Sequence, residues 1–222
     1  MKKKEPVIKT KRMLIQPMSD QEIENRMETS DSDTLRAAYG EMLSGCKRDP
    51  ENRLWYAPWR MTLKSDQTYI GDLGFKGPAR ENTVEIGYGV LKEYEGKGYT
   101  TEAVQAMTQW AFGNEGVIFV EAETESDNKA SLCVLKKCGF TSDGDGEEGP
   151  RFVLESPLTN WMAIYMLLGL SIGTSLGSAS GNMAIGTSLG MCIGLCIGAS
   201  LDSFAKKERK KLREQRRNEP EA

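Results

Sequence analysis

The chain has 222 residues and a formal net charge of −3, enough length for one domain with a sizeable core plus an appendage. It contains no histidine, which excludes Ser-His-Asp and Cys-His catalysis and any histidine-based zinc site. Residues 1–12 carry +5 and residues 203–222 carry +4, so 13–202 carry −12, a balance that argues against nucleic acid as the main partner and suits a cationic or amine substrate.

After a basic arm at 1–10, RMLIQPM at 12–18 predicts a first strand. The arm is not followed by an apolar stretch of signal-peptide length, so no secretion signal is read. Ser19 with Glu22 three residues on forms a capping box that starts a helix through about Met27. Leu35, Ala38, Tyr39, Met42 and Leu43 then repeat at helical spacing, with Gly45 placed to end that second helix. Three strand-like runs follow, LWYAPWRMTL, QTYIGDLGF and TVEIGYGVL, separated at hairpin scale and expected as antiparallel neighbours. In the third run Val84, Ile86, Tyr88 and Val90 share one face, while Glu85, Gly87, Gly89 and Leu91 share an open, glycine-bearing one.

The stretch EYEGKGYTTEA at 93–103 puts two glycines around a lysine at a helix entrance. Such a turn leaves amides bare beside the positive end of a helix dipole and suits an anion, most often a phosphate. Taken alone the signal is weak, since it matches neither the dinucleotide-binding nor the P-loop spacing, and plain strand-to-helix geometry is an equal reading. Ala103, Val104, Met107 and Ala111 form the following helical stripe to about Gly113, and GVIFVEAE is a buried strand, completing a right-handed βαβ unit. Asn128 caps a last helix, SLCVLKKC, that stops at Gly139; TSDGDGEEGP reads as a loop before a final strand, RFVLE. The cysteines Cys46, Cys133, Cys138, Cys192 and Cys196 contain no C-x-x-C pair and read as small buried groups in a reducing compartment.

Over about residues 10–155 this order resembles the GNAT acetyltransferase superfamily, closest to its RimJ/RimL-like branch. EIGYGVLKEYEGKGYTTEAVQAMTQWAF, AETESDNKAS and VLKKCGF carry the resemblance. It implies an α/β (α+β) domain over 11–157, with a mixed, mostly antiparallel central sheet flanked by helices. It also implies transfer of an acetyl group from acetyl-CoA to a primary amine, protein N-terminal or small-molecule, by direct attack in a ternary complex without a metal. The family's pyrophosphate motif falls on Glu95, Gly96, Lys97, Gly98, Tyr99 and Thr100, with Thr101 in the first helical turn. Gly98 is kept, while Glu95 and Thr100 depart from the pattern; Glu95 is expected to point away to solvent.

The resemblance further implies a pantetheine arm along Gly89, Val90 and Leu91, and a CoA contact at Asn128 beside its capping role. Glu85 is the first candidate base, with a solvated surface carboxylate as the plain alternative; Glu123 is the reserve, and Glu102 reads as a first-turn dipole partner. The tyrosine that many family members use as the acid falls here on Leu135, which leaves Ser131 and Cys133 as nearby candidates, Cys133 more as a packing group, and direct protonation by solvent as the other route. The three departures keep a second reading open, an acyl-CoA-binding or regulatory module without turnover.

Residues 156–201 hold 46 positions without one charge. Glycines recur every four residues at Gly169, Gly173, Gly177 and Gly181 and again at Gly186, Gly190, Gly194 and Gly198, so that each series lies on one helix face. Glycine costs about 1 kcal/mol per residue in an exposed helix, so a lone soluble helix is a poor reading. A glycine-zipper-like helical hairpin over 158–202, crossing a membrane through 160–201 and open to helix–helix self-association, competes with a Gly/Ser-rich linker. The basic tail at 203–222 is expected on the cytoplasmic face with the enzyme, which requires an even number of spans.

Overall fold

The computed structural model describes residues 6–30 and 32–218, so the start of the basic arm and the last four residues of the tail lie outside the described residues. The chain forms two compact units, 1–156 and 157–222.

In the first unit the strands are β1 (Ile8–Lys9), β2 (Met13–Pro17), β3 (Trp59–Leu63), β4 (Tyr69–Phe75), β5 (Thr83–Val90), β6 (Phe119–Glu123), β7 (Thr141–Asp145) and β8 (Pro150–Glu155). They make one eight-stranded sheet in the order β1-β2-β3-β4-β5-β6-β8-β7. Only β5 and β6 run parallel, joined through α4 (Tyr99–Phe112); the other neighbours are antiparallel. The mixed, mostly antiparallel sheet and its flanking helices are those that the resemblance implies.

One sheet face carries Met13, Ile15, Trp59, Met61, Leu73, Phe75, Val84 and Ile86, which pack with α4 and with Leu135 of α5 (Lys129–Cys138) into the main core. Trp55, Trp59, Phe75 and Trp110 meet there with ring centroids 4.8–5.9 Å apart, the geometry aromatic rings favour. The other face is covered by α1 (Asp20–Thr29) and α2 (Asp33–Arg48), through Ile23, Tyr39, Leu43 and Cys46. The Ser19 capping box is present, with both reciprocal bonds made.

Four expectations are corrected. Gly45 does not end α2, which runs on to Arg48; the ring of Tyr56 rests where a side chain at Gly45 would stand, so the glycine serves packing. LWYAPWRMTL is not one strand: Arg53–Tyr56 is a helical turn, α3, and Pro58 precedes the true strand. TSDGDGEEGP is not wholly a loop, since Thr141–Asp145 pairs with β8 through an irregular register that its glycines admit. Among the cysteines, Cys46 alone is buried, Cys138 is intermediate, and Cys133, Cys192 and Cys196 are exposed.

The second unit is a pair of helices, α6 (Trp161–Ala179) and α7 (Met183–Asn218). A Cβ on Gly169 would meet the backbone of Gly190 and Gly194, and one on Gly173 or Gly177 that of Gly186. The glycine series therefore face each other within the chain. Gly181 is not on the helical stripe; it sits in the connecting turn at φ 76°, where a Cβ is unfavourable.

Candidate active site

Pairing between β5 and β6 covers Thr83, Val84 and Glu85 against Phe119, Val120 and Glu121, and stops there although both strands continue. The sheet thus splits at Glu85. Lys76 N donates to the Glu85 carbonyl and Leu91 N to the Ile70 carbonyl, so by strand alternation Glu85, Gly87, Gly89 and Leu91 turn their backbone groups to β4. Tyr88 and Val90 turn theirs into the gap. Of the expected pantetheine track, Val90 presents its backbone there, Gly89 lines the cavity with its surface, and Leu91 lies outside it, 39% exposed.

The gap opens into a cavity of about 370 Å³ lined by β5, the glycine turn, α4 and α5. Gly96 and Gly98 adopt φ of 70° and 75°, the left-handed region that favours glycine, and a Cβ at Gly96 would meet nothing within 4 Å. Gly98 is the N-cap of α4 and no side chain caps that end, so its first amides face the cavity with Thr100 and Thr101 among the lining residues. Lys97 and Tyr99 lie outside the lining and stack on neighbours: Lys97 Nζ is 5.1 Å from the Tyr94 ring, and the Tyr99 ring lies under the Arg12 guanidinium at 4.2 Å. Glu95 is exposed, as expected, and lies at the cavity rim.

Arg12, the residue before β2, holds this turn from a distance of many residues in sequence. Its Nε donates to Glu102 Oε2 at 2.7 Å, its amide to Glu102 Oε1 at 2.8 Å, and its Nη1 to the Lys97 carbonyl at 2.9 Å. Burial works to raise the Glu102 pKa, but the bonds from Thr10 and Arg12 outweigh it and hold the carboxyl below its usual range. Glu102 is therefore an anchored ion-pair partner as well as a first-turn acid.

On α5, Asn128 Oδ1 accepts the Ser131 amide at 2.9 Å, so its cap is formed, and both residues line the cavity. Ser131 Oγ is 2.8 Å from the Tyr88 hydroxyl. Burial pushes the Tyr88 pKa up against the effect of that hydrogen bond, so the phenol keeps its proton at neutral pH. Leu135 is fully buried in the core, below the cavity. Cys133 lines the cavity rather than the core, as does Lys137.

Glu85 stands at the split on the glycine-bearing face, where Gly87 and Gly89 are exposed. Its carboxylate is 2.5 Å from Lys76 Nζ, which also reaches Glu148 at 2.9 Å. Burial raises the Glu85 pKa, helped by Glu123 and Glu148 and opposed by Lys76. Glu123 is engaged elsewhere, accepting the Glu148 amide at 3.0 Å in the turn before β8. Tyr88, Arg12 and Lys137 were not among the site residues expected from sequence. The parity of β5 alone could have raised Tyr88, whereas Arg12 carries no local signal.

Residues 8–141 match the acetyltransferase (GNAT) domain family. The chain belongs to the GNAT acetyltransferases. It is 37% identical over 83 residues to the uncharacterized N-acetyltransferase YjdG of Bacillus subtilis (strain 168), covering 37% of this chain and 49%, about half, of that relative. Among solved structures it resembles a GNAT-family acetyltransferase from Bacillus anthracis (TM-score 0.52, 22% identity, 68% of this chain and 98% of that one). It also resembles Mycobacterium smegmatis RimJ in complex with CoA-disulfide (TM-score 0.51, 15% identity, 65% and 82%). In this GNAT protein the glycine turn and the split sheet occupy the region between β5 and α4 that the family match spans.

Proposed function

We propose that this protein transfers the acetyl group of acetyl-CoA to a primary amine by direct attack. The observation that carries the reading is the split between β5 and β6 running into a bare, left-handed glycine turn at the N-terminus of α4. That cradle fits the cofactor: the turn offers amides to a pyrophosphate, and the unpaired edge at Tyr88 and Val90 offers strand-like bonds to a pantetheine arm. When bound, acetyl-CoA supplies the acetyl group as an activated thioester.

The chain's own groups divide the proton work. Glu85, its pKa raised by burial, takes the proton from the attacking amine, with Lys76 holding the carboxylate in place. Ser131 Oγ donates to the departing sulfur and Tyr88, hydrogen-bonded to it, restores that proton. Tyr88 thus stands in for the tyrosine that Leu135 replaces. The acceptor is a protein N-terminus or a small-molecule amine. The test is thiol release from acetyl-CoA in the presence of an amine panel, with acetyl-CoA affinity measured in parallel. Tight binding without thiol release from any amine would sink the enzyme and leave a regulatory acyl-CoA-binding module.

We further infer that α6 and α7 anchor the protein at the cytoplasmic face of a membrane through residues 160–201. Both helices are long and apolar enough to span a bilayer. Several hydroxyls within the segment are satisfied inside their own helices, Ser171 to the Leu167 carbonyl, Ser175 to the Ser171 carbonyl, and Ser188 to the Ala184 carbonyl, at 2.8–3.0 Å. Asp202, the first charge after the segment, accepts the amides of Trp161 and Met162 at 2.8 and 3.2 Å and so closes the start of α6. Leu167, Leu168, Ile172, Leu189 and Ile193 stay more than half exposed, a surface suited to lipid. Full-length protein that remains soluble after cell lysis without detergent would refute the anchor.

A further inference from the structure

On the α1/α2 face of the sheet, β4 and β5 form a patch in which Gly74 stands beside Gly87 and Asp72 beside Gly89. Gly74 is roofed, since a Cβ there would lie 3.2 Å from the Ala57 carbonyl, whereas one at Gly87 or Gly89 would meet nothing within 4 Å. A bare track therefore runs along β5, with Glu85 at its split end and Asp72 on its flank.

The two carboxylates are equipped differently. Glu85 has the ammonium of Lys76. Asp72 has two phenols, Tyr39 at 2.5 Å and Tyr69 at 2.7 Å, both donating to the same oxygen, Oδ2. Among the described residues no lysine or arginine nitrogen pairs with Asp72; the cation beside it, Arg26, stacks over the Tyr69 ring at 4.0 Å instead. The phenols orient Asp72 and shield one oxygen without neutralising its charge, while Oδ1 has no donor among the described residues. Asp72 is thus an oriented, partly buried anion whose neighbouring cation rests on its phenols and not on the carboxylate; with Oδ1 open beside a bare track, it offers a place for a cation from outside the chain.

We propose that the acceptor is a dicationic amine, its reacting nitrogen over Gly87 beside Glu85 and its second ammonium on Asp72. This rests on the acetyl-transfer reading and narrows it to one class of substrate. Diagonal cross-strand neighbours such as Gly87 and Asp72 lie about 7–8 Å apart, which matches an extended diamine with roughly four or five methylenes. The −12 charge of residues 13–202 draws polycations in the same direction. The reacting ammonium first gives one proton to Glu85, which passes it to solvent; the N–C bond then forms as the C–S bond breaks. Glu85 takes the second proton from that nitrogen, the departing sulfur gains one from Ser131, and the remote ammonium is unchanged.

The experiment compares diaminobutane and diaminopentane with butylamine and pentylamine, using the full-length protein in detergent at fixed ionic strength and saturating acetyl-CoA. The diamines should exceed the matched monoamines in kcat/KM by about ten- to a hundredfold, mostly through KM, as a charge-assisted bond requires. Asp72→Asn should bring that ratio close to one while leaving acetyl-CoA affinity in place. Asp72→Glu keeps the charge and reaches further along the track, so it should move the preference toward diaminobutane; it also serves if Asp72→Asn does not fold. Equal rates for diamines and monoamines, a preference that survives Asp72→Asn, or peptide N-termini outpacing every diamine would each overturn the proposal and leave acetyl transfer standing. Absence of thiol release with any amine removes acetyl transfer itself and this proposal with it.

Discussion

Arg12→Ala is the most direct perturbation of the cofactor turn that touches no residue of the cavity lining. The side chain is 39% exposed, so its ion pair with Glu102 is discounted for solvent screening to about 0.5 kcal/mol. Its bond to the Lys97 carbonyl adds about 1 kcal/mol, and its stacking on Tyr99 about 0.5 kcal/mol. Together these hold the turn by about 2 kcal/mol, at most roughly thirtyfold in affinity. The Arg12 amide keeps its own bond to Glu102 in the variant, so a rise of about tenfold in the acetyl-CoA Kd is expected, with kcat little changed.

Removing the guanidinium also releases the Glu102 charge beside the proposed phosphate site. Arg12→Ala/Glu102→Gln should therefore bind acetyl-CoA more tightly than Arg12→Ala alone. Calorimetric titration of the single and double variants is the assay. An unchanged Kd in folded Arg12→Ala, or a double variant weaker than the single, refutes the latch. The folded Glu102 pKa lies below its unfolded value, so the stabilisation is complete above the ordinary glutamate range and is lost as pH falls through the folded value. Acid unfolding of Glu102→Gln should accordingly begin from a lower stability at neutral pH and show a shallower loss below it.

Gly98→Val places a branched side chain at φ 75° and should abolish acetyl-CoA binding, read by the same titration; retained affinity in a folded variant would remove the turn from the site. Glu85→Gln should keep cofactor affinity and lower the rate by about a hundred- to ten-thousandfold, flattening the fall in rate that the wild type shows as pH drops through the raised Glu85 pKa; equal profiles would leave Glu85 a structural carboxylate. Gly190→Leu drives a side chain into the Gly169 carbonyl and Gly173 Cα, and should open the α6–α7 pair without releasing the protein from membranes. Unaltered distances between spin labels on the two helices would show that the glycines do not set the spacing.

The fold was legible because its signals were local and periodic. The Ser19 capping box, the parity of β5 and the apolar stripe of α4 each follow from neighbours within two turns or one strand. The errors came where a tertiary partner reassigned a local cue: Tyr56 turned Gly45 from a helix stop into a packing site, and β8 recruited Thr141–Asp145 into the sheet. The glycine turn could be read because backbone conformation writes itself into residue type. Arg12 and the Tyr39–Asp72–Tyr69 cluster could not, because Glu102 lies 90 residues from Arg12 and Tyr39 of α2 lies 33 residues from Asp72 of β4, and no spacing rule links them. Tyr88 was assigned a face by parity, but only the docking of α5 brings Ser131 to its hydroxyl.

Because β5 and β6 share only three residue pairs before parting, acetyl-CoA bound in the proposed way would complete the sheet as well as occupy it. A ligand that binds only the folded chain adds to its unfolding free energy, about 2.7 kcal/mol at a hundredfold excess over Kd. Amide exchange at Tyr88 and Val90, fast without that ligand, should slow with it, and the opening of one half-sheet from the other becomes rarer. The folded fraction then follows the acetyl-CoA pool, so that in a cell starved of its donor the enzyme grows more susceptible to proteolysis, and its abundance becomes a record of the metabolite it consumes.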